Sequence, residues 1–367
     1  MKIASIEVYE HILTYAHGEY VMSSGRAATS QVSTLVRVVT DEGLDGWGET
    51  CPLDGTYLAT FAAALRQAIA AMGRHLVGLD PRNINAIGTK MSATLMGFEA
   101  AKSAIDLACW DVSGKSLGVP VSALLGGVLQ ESFPLYEAVP LATPEAMAAF
   151  IAERRAVGIA CFQVKVGNDP GDDVARAEAA ADVAGDCTLI CDSNGGWTVD
   201  QAITAVRGMA DLPIYVEQPC RTTAASAQVR RVTNLPFVMD ESIALASDLA
   251  TAVETVAPSA INLKLSRLGG ISAVRRMRDN VVALDLSVCL EDTWGGDIVT
   301  AAVAHLAATT PARHLLSTSF FNDWTNEHVA HTRPQSVNGR GSAPAGPGLG
   351  VEVDASQLGE PLFIISN

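Results

Sequence analysis

From about residue 134 onward, short aliphatic runs alternate with helical segments, and this recurrence leaves the chain very few folds. The runs fall at 134–140, 161–167, 188–194, 214–219, 237–241, 260–266, 286–292 and 313–319, which predicts eight strands. Their C-terminal ends lie 22–27 residues apart, the length of one strand–loop–helix–loop unit. The runs are apolar almost throughout, as expected of parallel strands covered on both faces. Eight such units wound right-handedly close into a (β/α) barrel of the TIM type, so the fold class is α/β. An open doubly wound sheet would need a glycine-rich phosphate turn after an early strand. The segment Gly43-Leu44-Asp45-Gly46-Trp47-Gly48 has the wrong spacing for one and falls between antiparallel strands.

The chain ends read differently. Residues 1–51 predict a small antiparallel sheet with strands near 2–13, 33–40 and 45–50, the last two joined by a turn at Asp41-Glu42-Gly43. A helix follows over about 97–116, where Phe98, Ala101, Ile105, Ala108 and Val112 share one face. The tail from about 320, with Gly346-Pro347-Gly348-Leu349-Gly350, has no ninth unit to join and is expected to pack back on the N-terminal sheet. The expected division is an α+β capping domain, residues 1–125 completed by 321–367, around a barrel domain, residues 126–320.

Charge narrows the class of partner. Lys plus Arg number 25 against 40 Asp plus Glu, a formal charge of −15, which repels phosphate backbones and argues against nucleic acid. No run approaches the roughly 18 apolar residues of a membrane span, and the alternating, glutamate-bearing start Met1–Glu10 reads as a strand, not a targeting segment. The seven cysteines sit mostly in apolar patterns, which is reduced, cytoplasmic usage. Cys187 and Cys191 flank a strand with no His or Cys partner nearby, so zinc is not expected there.

In a barrel of this kind chemistry gathers at the C-terminal ends of the strands. Strand two ends in Lys165, strand three in Asp192 and Asn194, strand four in Glu217, strand five in Asp240 and Glu241, strand six in Lys264, and strand seven in Glu291 and Asp292. One charged strand end is ordinarily a solvated loop residue, but three acids on adjacent strands converge and repel one another unless a cation lies between them. Asp192, Glu217 and Asp240 therefore read as ligands for a hard divalent cation, Mg²⁺ or alternatively Mn²⁺, with positions left open for substrate. Lys165 and Lys264 flank the acidic strands and approach such a substrate from opposite faces. A metal-bound carboxylate has its α-proton acidified, and a desolvated lysine beside a cation is depressed enough in pKa to act as base.

These stretches resemble the enolase superfamily, in the mandelate racemase/muconate lactonizing group and its muconate-lactonizing branch. The resemblance is carried by Gln163-Val164-Lys165, Cys191-Asp192-Ser193-Asn194, Glu217-Gln218-Pro219, Met239-Asp240-Glu241-Ser242 and Lys264-Leu265-Ser266-Arg267-Leu268-Gly269-Gly270. The branch usually carries Lys-x-Lys at strand two, and Gln163 replaces the first lysine with a group that can hydrogen-bond the substrate carboxylate but adds no charge. The Gln-x-Lys form, with Trp47–Pro52, Glu217–Cys220 and Glu291–Ile298, is similar to hydroxyproline betaine 2-epimerases and cis-3-hydroxyproline dehydratases. The resemblance implies two cap loops over the barrel mouth, Tyr20–Arg26 and Cys51–Tyr57, that set specificity. It also offers Tyr57, Trp294, Phe320 and Trp324 as faces for a substrate ammonium by cation–π attraction. Glu291 and Asp292 are alternative partners for a secondary ammonium, and homo-oligomerisation is expected from the family.

The expected activity is Mg²⁺-dependent abstraction of the α-proton of a small amino-acid carboxylate. Two lysines favour racemisation or 2-epimerisation of proline or a hydroxyproline derivative (betaine). The alternative is dehydration of cis-3-hydroxy-L-proline; dipeptide epimerisation and cycloisomerisation stand further off. A Schiff-base aldolase using Lys264 would differ by its indifference to chelators.

Overall fold

The computed structural model describes residues 1–366. Eight parallel strands are hydrogen-bonded in chain order, Tyr136–Val139, Cys161–Lys165, Thr188–Asp192, Ile214–Glu217, Phe237–Met239, Ala260–Lys264, Ser287–Glu291 and Leu315–Thr318. With helices between them they form a nearly closed α/β barrel, the fold class expected from the strand recurrence. We number these barrel strands one to eight.

The strand period of two sorts their side chains. On strand two Phe162 and Val164 pack outward in the layer shared with the helices, and Cys161 lies in the interior cluster. The same division puts Ile261 and Leu263 outside and Ala260 inside, and Val288 and Leu290 outside and Cys289 inside. Gln163 and Lys165 therefore share the inner face with Cys161, Asn262 and Lys264 with Ala260, and Glu291 with Cys289. Parallel register then aligns Lys165 with Asp192, Asp192 with Glu217, and Lys264 with Glu291. Apolar residues fill the base of the barrel, and polar ones arrive together at its mouth.

Outside the barrel the two ends of the described chain build a four-stranded antiparallel sheet. Ile3–Thr14 is flanked by Ser30–Thr40, which pairs in turn with Asp45–Thr50. The fourth member is the chain's last strand, Phe363–Ser366, whose residues pair with Ser5–Val8, so the tail does return to this sheet. Helix Glu99–Leu117 packs against the sheet closely enough that a Cβ at Gly46 or Gly48 would collide with its backbone. Helices Ala62–Gly73 and Ile84–Thr94 complete an apolar cluster with Ile6, Val8, Val36 and Ile105.

Two buried carboxylates tie this layer to the rest. Glu49 accepts hydrogen bonds from Ser33 Oγ (2.7 Å) and from the backbone N–H groups of Gly296 (2.7 Å) and Val299 (3.1 Å), the opening of the barrel helix Asp297–Ala308. Asp111 accepts from the N–H of Trp47 (2.9 Å) and of Leu349 (2.7 Å), joining sheet, helix and tail.

Candidate active site

At the barrel mouth the charged strand ends form a closed ion network. Lys165 Nζ lies 2.6 Å from Asp192 Oδ2, and Asn194 adds its backbone N–H to Oδ1 and its amide to Oδ2, both at 2.8 Å. Across the barrel Lys264 Nζ lies 2.6 Å from Glu291 Oε1 and 3.2 Å from Asp240 Oδ2. Glu217 sits between the two halves, accepting from Gln163 Nε2 (2.9 Å) and from Asn262 Nδ2 (2.7 Å), which also reaches Glu291 Oε1 at 2.7 Å. Arg267 lies 2.6 Å from Asp240 Oδ1 and anchors itself on the carbonyls of Asn262 and Ile243.

The loop backbones are specialised for this work. Asn194 and Gln218, the residues two and one beyond strands three and four, adopt φ of 47° and 36°, left-handed conformations that non-glycine residues rarely take. Gln218 then accepts hydrogen bonds from the N–H groups of Asp240 (2.9 Å) and Ser242 (3.4 Å), pinning the end of strand five.

Burial and like charge act together on the acids. Burial, followed by Asp192 and Asp240, pushes the Glu217 carboxyl well above the usual range. Glu241 rises to about 7 through burial, Asp240 and Asp192. Burial would also raise Asp240, but Arg267 and Lys264 outweigh it and hold this carboxyl below its ordinary value. Lys165 differs from the sequence expectation of a depressed lysine. Burial alone would lower it, yet Asp192 holds its ammonium well above the ordinary range.

Carboxylate oxygens of Glu217, Asp240 and Glu291 all lie within 4.8 Å of one another, a hard-oxygen donor set suited to Mg²⁺. Sequence reasoning grouped Glu217 and Asp240 with Asp192 instead. Asp192 adjoins them, since its charge is the foremost after burial in raising Glu217, but its oxygens turn to Lys165 and Asn194.

The two lysines look into one small cavity of about 20 Å³, lined also by Gln163, Asn194, Glu291, Asp292, Thr293, Trp294, Tyr136 and Phe321. Cap residues Tyr20, Met22, Leu53 and Tyr57 close it from above. Clefts of about 630 Å³ and 510 Å³ exist elsewhere, but neither gathers the strand-end lysines and acids.

Of the residues expected to contact substrate, Gln163, Asn194, Tyr57, Glu291, Asp292 and Trp294 line the cavity. Phe320 does not line the cavity. Its ring packs at 6.0 Å against Phe133 and beside Gly341, where the tail strand crosses, and Phe321 on the following 3₁₀ turn faces the site instead. Gln163 commits its amide to Glu217. Tyr57 offers its ring to Lys264, 4.6 Å away, and its hydroxyl donates to Asp240 Oδ2 at 2.7 Å. Asp292 is held by the Ser266 N–H and hydroxyl (both 2.7 Å) and the Thr293 N–H (2.8 Å). Trp324 packs on Trp294, Tyr136 and Phe321. Glu241 accepts from Asn194 Nδ2 at 3.1 Å, behind the cavity wall.

Asn262 was missed by sequence reasoning, although its signal was present: a polar residue inside an apolar strand, two positions before Lys264 and so on the same face.

Comparison with known proteins agrees with this geometry. Residues 10–126 match the mandelate racemase / muconate lactonizing enzyme N-terminal domain family, and residues 146–357 the enolase C-terminal domain-like family. The chain is 42% identical over 363 residues, 99% of each chain, to a cis-3-hydroxy-L-proline dehydratase of Roseibium aggregatum. It is 33% identical, over 74% of each chain, to an N-succinyl-L-Arg/Lys racemase of Bacillus cereus. A mandelate racemase/muconate lactonizing enzyme structure from Roseovarius nubinhibens superposes with a TM-score of 0.96 at 34% identity, covering 100% of this chain and 99% of that one. A structure from the same organism complexed with magnesium superposes with a TM-score of 0.95 at 33% identity, covering 99% of this chain and 100% of that one. The chain belongs to the mandelate racemase/muconate lactonizing enzyme family of the enolase superfamily.

Proposed function

We propose that the chain is a Mg²⁺-dependent dehydratase of cis-3-hydroxy-L-proline or a close analogue. The observation that carries the reading is the 42% identity with such a dehydratase across 99% of both chains. It reverses the order reached from sequence, where paired lysines put racemisation or 2-epimerisation first. The site chemistry supports either outcome, because both begin with loss of the α-proton.

In this reading the cap (1–125 with 321–367) shuts the barrel (126–320). Asp192, Glu217 and Asp240, from adjacent strands, would hold Mg²⁺, with Glu291 beside Glu217 and Asp240. When bound, the ion would seat the substrate carboxylate and offset the charge that develops on it. Lys165, freed from Asp192, and Lys264 flank the α-carbon. One removes the α-proton as a neutral amine, and the other, protonated, delivers a proton to the departing hydroxide. A cavity of about 20 Å³ has room for little more than a water. Substrate is therefore admitted when the segments bearing Tyr20, Met22, Leu53 and Tyr57 move aside, and their closure excludes solvent.

Proton NMR in D₂O tests this directly. With Mg²⁺, cis-3-hydroxy-L-proline is expected to give a pyrroline carboxylate, and EDTA stops the reaction until Mg²⁺ is restored. Exchange and inversion at the α-carbon with no pyrroline would favour the epimerase reading, which the facing lysines support. Neither pyrroline nor exchange with cis-3-hydroxyproline, proline or their betaines rejects both.

A further inference from the structure

The wall of the cavity beyond strand seven carries two hydrogen-bonding groups with no partner among the described residues. Trp294 Nε1 and Thr293 Oγ1 are buried and unpaired, on residues only 2% and 5% exposed, and both residues line the cavity that the lysines share. Leaving a buried donor unmatched is costly, so a ligand group that satisfies it is favoured.

Neither group is free to look elsewhere. The Trp294 ring is wedged among Tyr20 (5.2 Å between centroids), Phe321 (5.4 Å), Tyr15 (5.8 Å) and Trp324 (6.0 Å). The Thr293 backbone is fixed through its N–H to Asp292, which is itself clamped by Ser266. The lysines contrast with this pair: each already faces a carboxylate at 2.6 Å. An indole N–H can only donate, and a threonine hydroxyl donates or accepts. Together they match an uncharged oxygen bearing lone pairs, and the indole edge offers nothing to an ammonium.

We propose that Trp294 Nε1–H and Thr293 Oγ1–H receive the β-oxygen of the substrate and so direct the reaction toward elimination. The inference rests on the dehydratase reading and deepens it: the substrate class is a cyclic α-amino acid carrying an oxygen on the β-carbon. As one lysine takes the α-proton, the C–H electron pair becomes the Cα=Cβ bond and the Cβ–O bond breaks. The oxygen leaves with its electron pair and takes a proton from the other lysine, departing as water. The organic product is the ring enamine carboxylate, which tautomerises to the imine. Trp294 and Thr293 donate hydrogen bonds throughout and transfer no proton, so they set specificity and do not act as acid or base.

The partition between elimination and α-proton exchange tests the proposal. In D₂O, proton NMR of the Mg²⁺-loaded enzyme with cis-3-hydroxy-L-proline reads pyrroline formation and deuterium in recovered substrate from one sample. Thr293→Val removes the hydroxyl at constant shape, and Trp294→Phe removes the N–H but keeps an aromatic ring. Each is expected to lower the ratio of elimination to exchange about tenfold or more, the loss of a hydrogen bond to the leaving group. Thr293→Ser is expected to restore the ratio. If elimination and exchange fall together, or the ratio stays put in Thr293→Val, the two groups do not read the β-oxygen and the inference is wrong. If the unsubstituted enzyme forms no pyrroline, the dehydratase reading itself fails and takes the inference with it.

Discussion

Single buried acids carry much of the pH behaviour expected of this protein. Asp106, on the helix Glu99–Leu117, accepts from the N–H (3.0 Å) and hydroxyl (2.5 Å) of Ser272 and is raised by burial from 3.8 to about 6. A carboxyl whose folded pKa lies above its unfolded one stabilises the fold fully below the unfolded value. That contribution is lost as pH rises through the folded value. Stability should therefore fall between about pH 4 and pH 6, and Asp106→Asn should flatten part of that fall. Thermal melts of both proteins across this range check it, and parallel curves would clear Asp106 of the effect. Other residue-scale features were already written in the sequence. Lys165, Asp192, Glu217 and Lys264 are the last residues of their strands, so period-two alternation alone set them on the inner face. Phe320 shows the limit. Whether residue 320 or 321 faces the cavity depends on a 3₁₀ turn and on Gly341, which arrives from twenty residues further along the chain.

At the scale of elements, one carboxylate at a helix start helps join cap to barrel. The first turn of an α-helix leaves backbone N–H groups unpaired, and Glu49 answers two of them on the helix Asp297–Ala308 from a strand of the N-terminal sheet. Replacing Glu49 with Ala strands these backbone donors in a buried place. A loss of about 2–4 kcal/mol is expected, with Glu49→Gln milder because its amide oxygen still accepts. Urea denaturation of the two variants measures the difference, and equal stability of Glu49→Ala and wild type would contradict the clamp. The pairing is invisible in sequence, because 247 residues separate Glu49 from Gly296. The elements themselves were legible: the eight strands lie where aliphatic runs stand, and the helix expected over 97–116 spans Glu99–Leu117.

At the scale of the whole molecule, buried like charges are held in check by lysines and Arg267, and a divalent cation would relieve what remains. Mg²⁺ at a hundredfold excess over its dissociation constant should stabilise the fold by about 2.7 kcal/mol, seen as a rise of several degrees in melting temperature. Asp192→Asn and Glu217→Gln should lose that rise. Titration calorimetry gives the affinities, and an undiminished rise in both variants would place the ion elsewhere. The sequence by itself determined the barrel, because strand recurrence and apolar runs are local properties of the chain. It also determined which charges reach the mouth, because alternation along a strand is fixed by backbone geometry. Only the tertiary structure decided which partner each charge takes: Asp192 with Lys165, Gln163 with Glu217, Tyr57 with Asp240 and Lys264. It alone left Trp294 and Thr293 with hydrogen bonds unmade. Those outcomes turn on loop conformations and on ångström-scale distances between segments far apart in the chain, which no local pattern encodes.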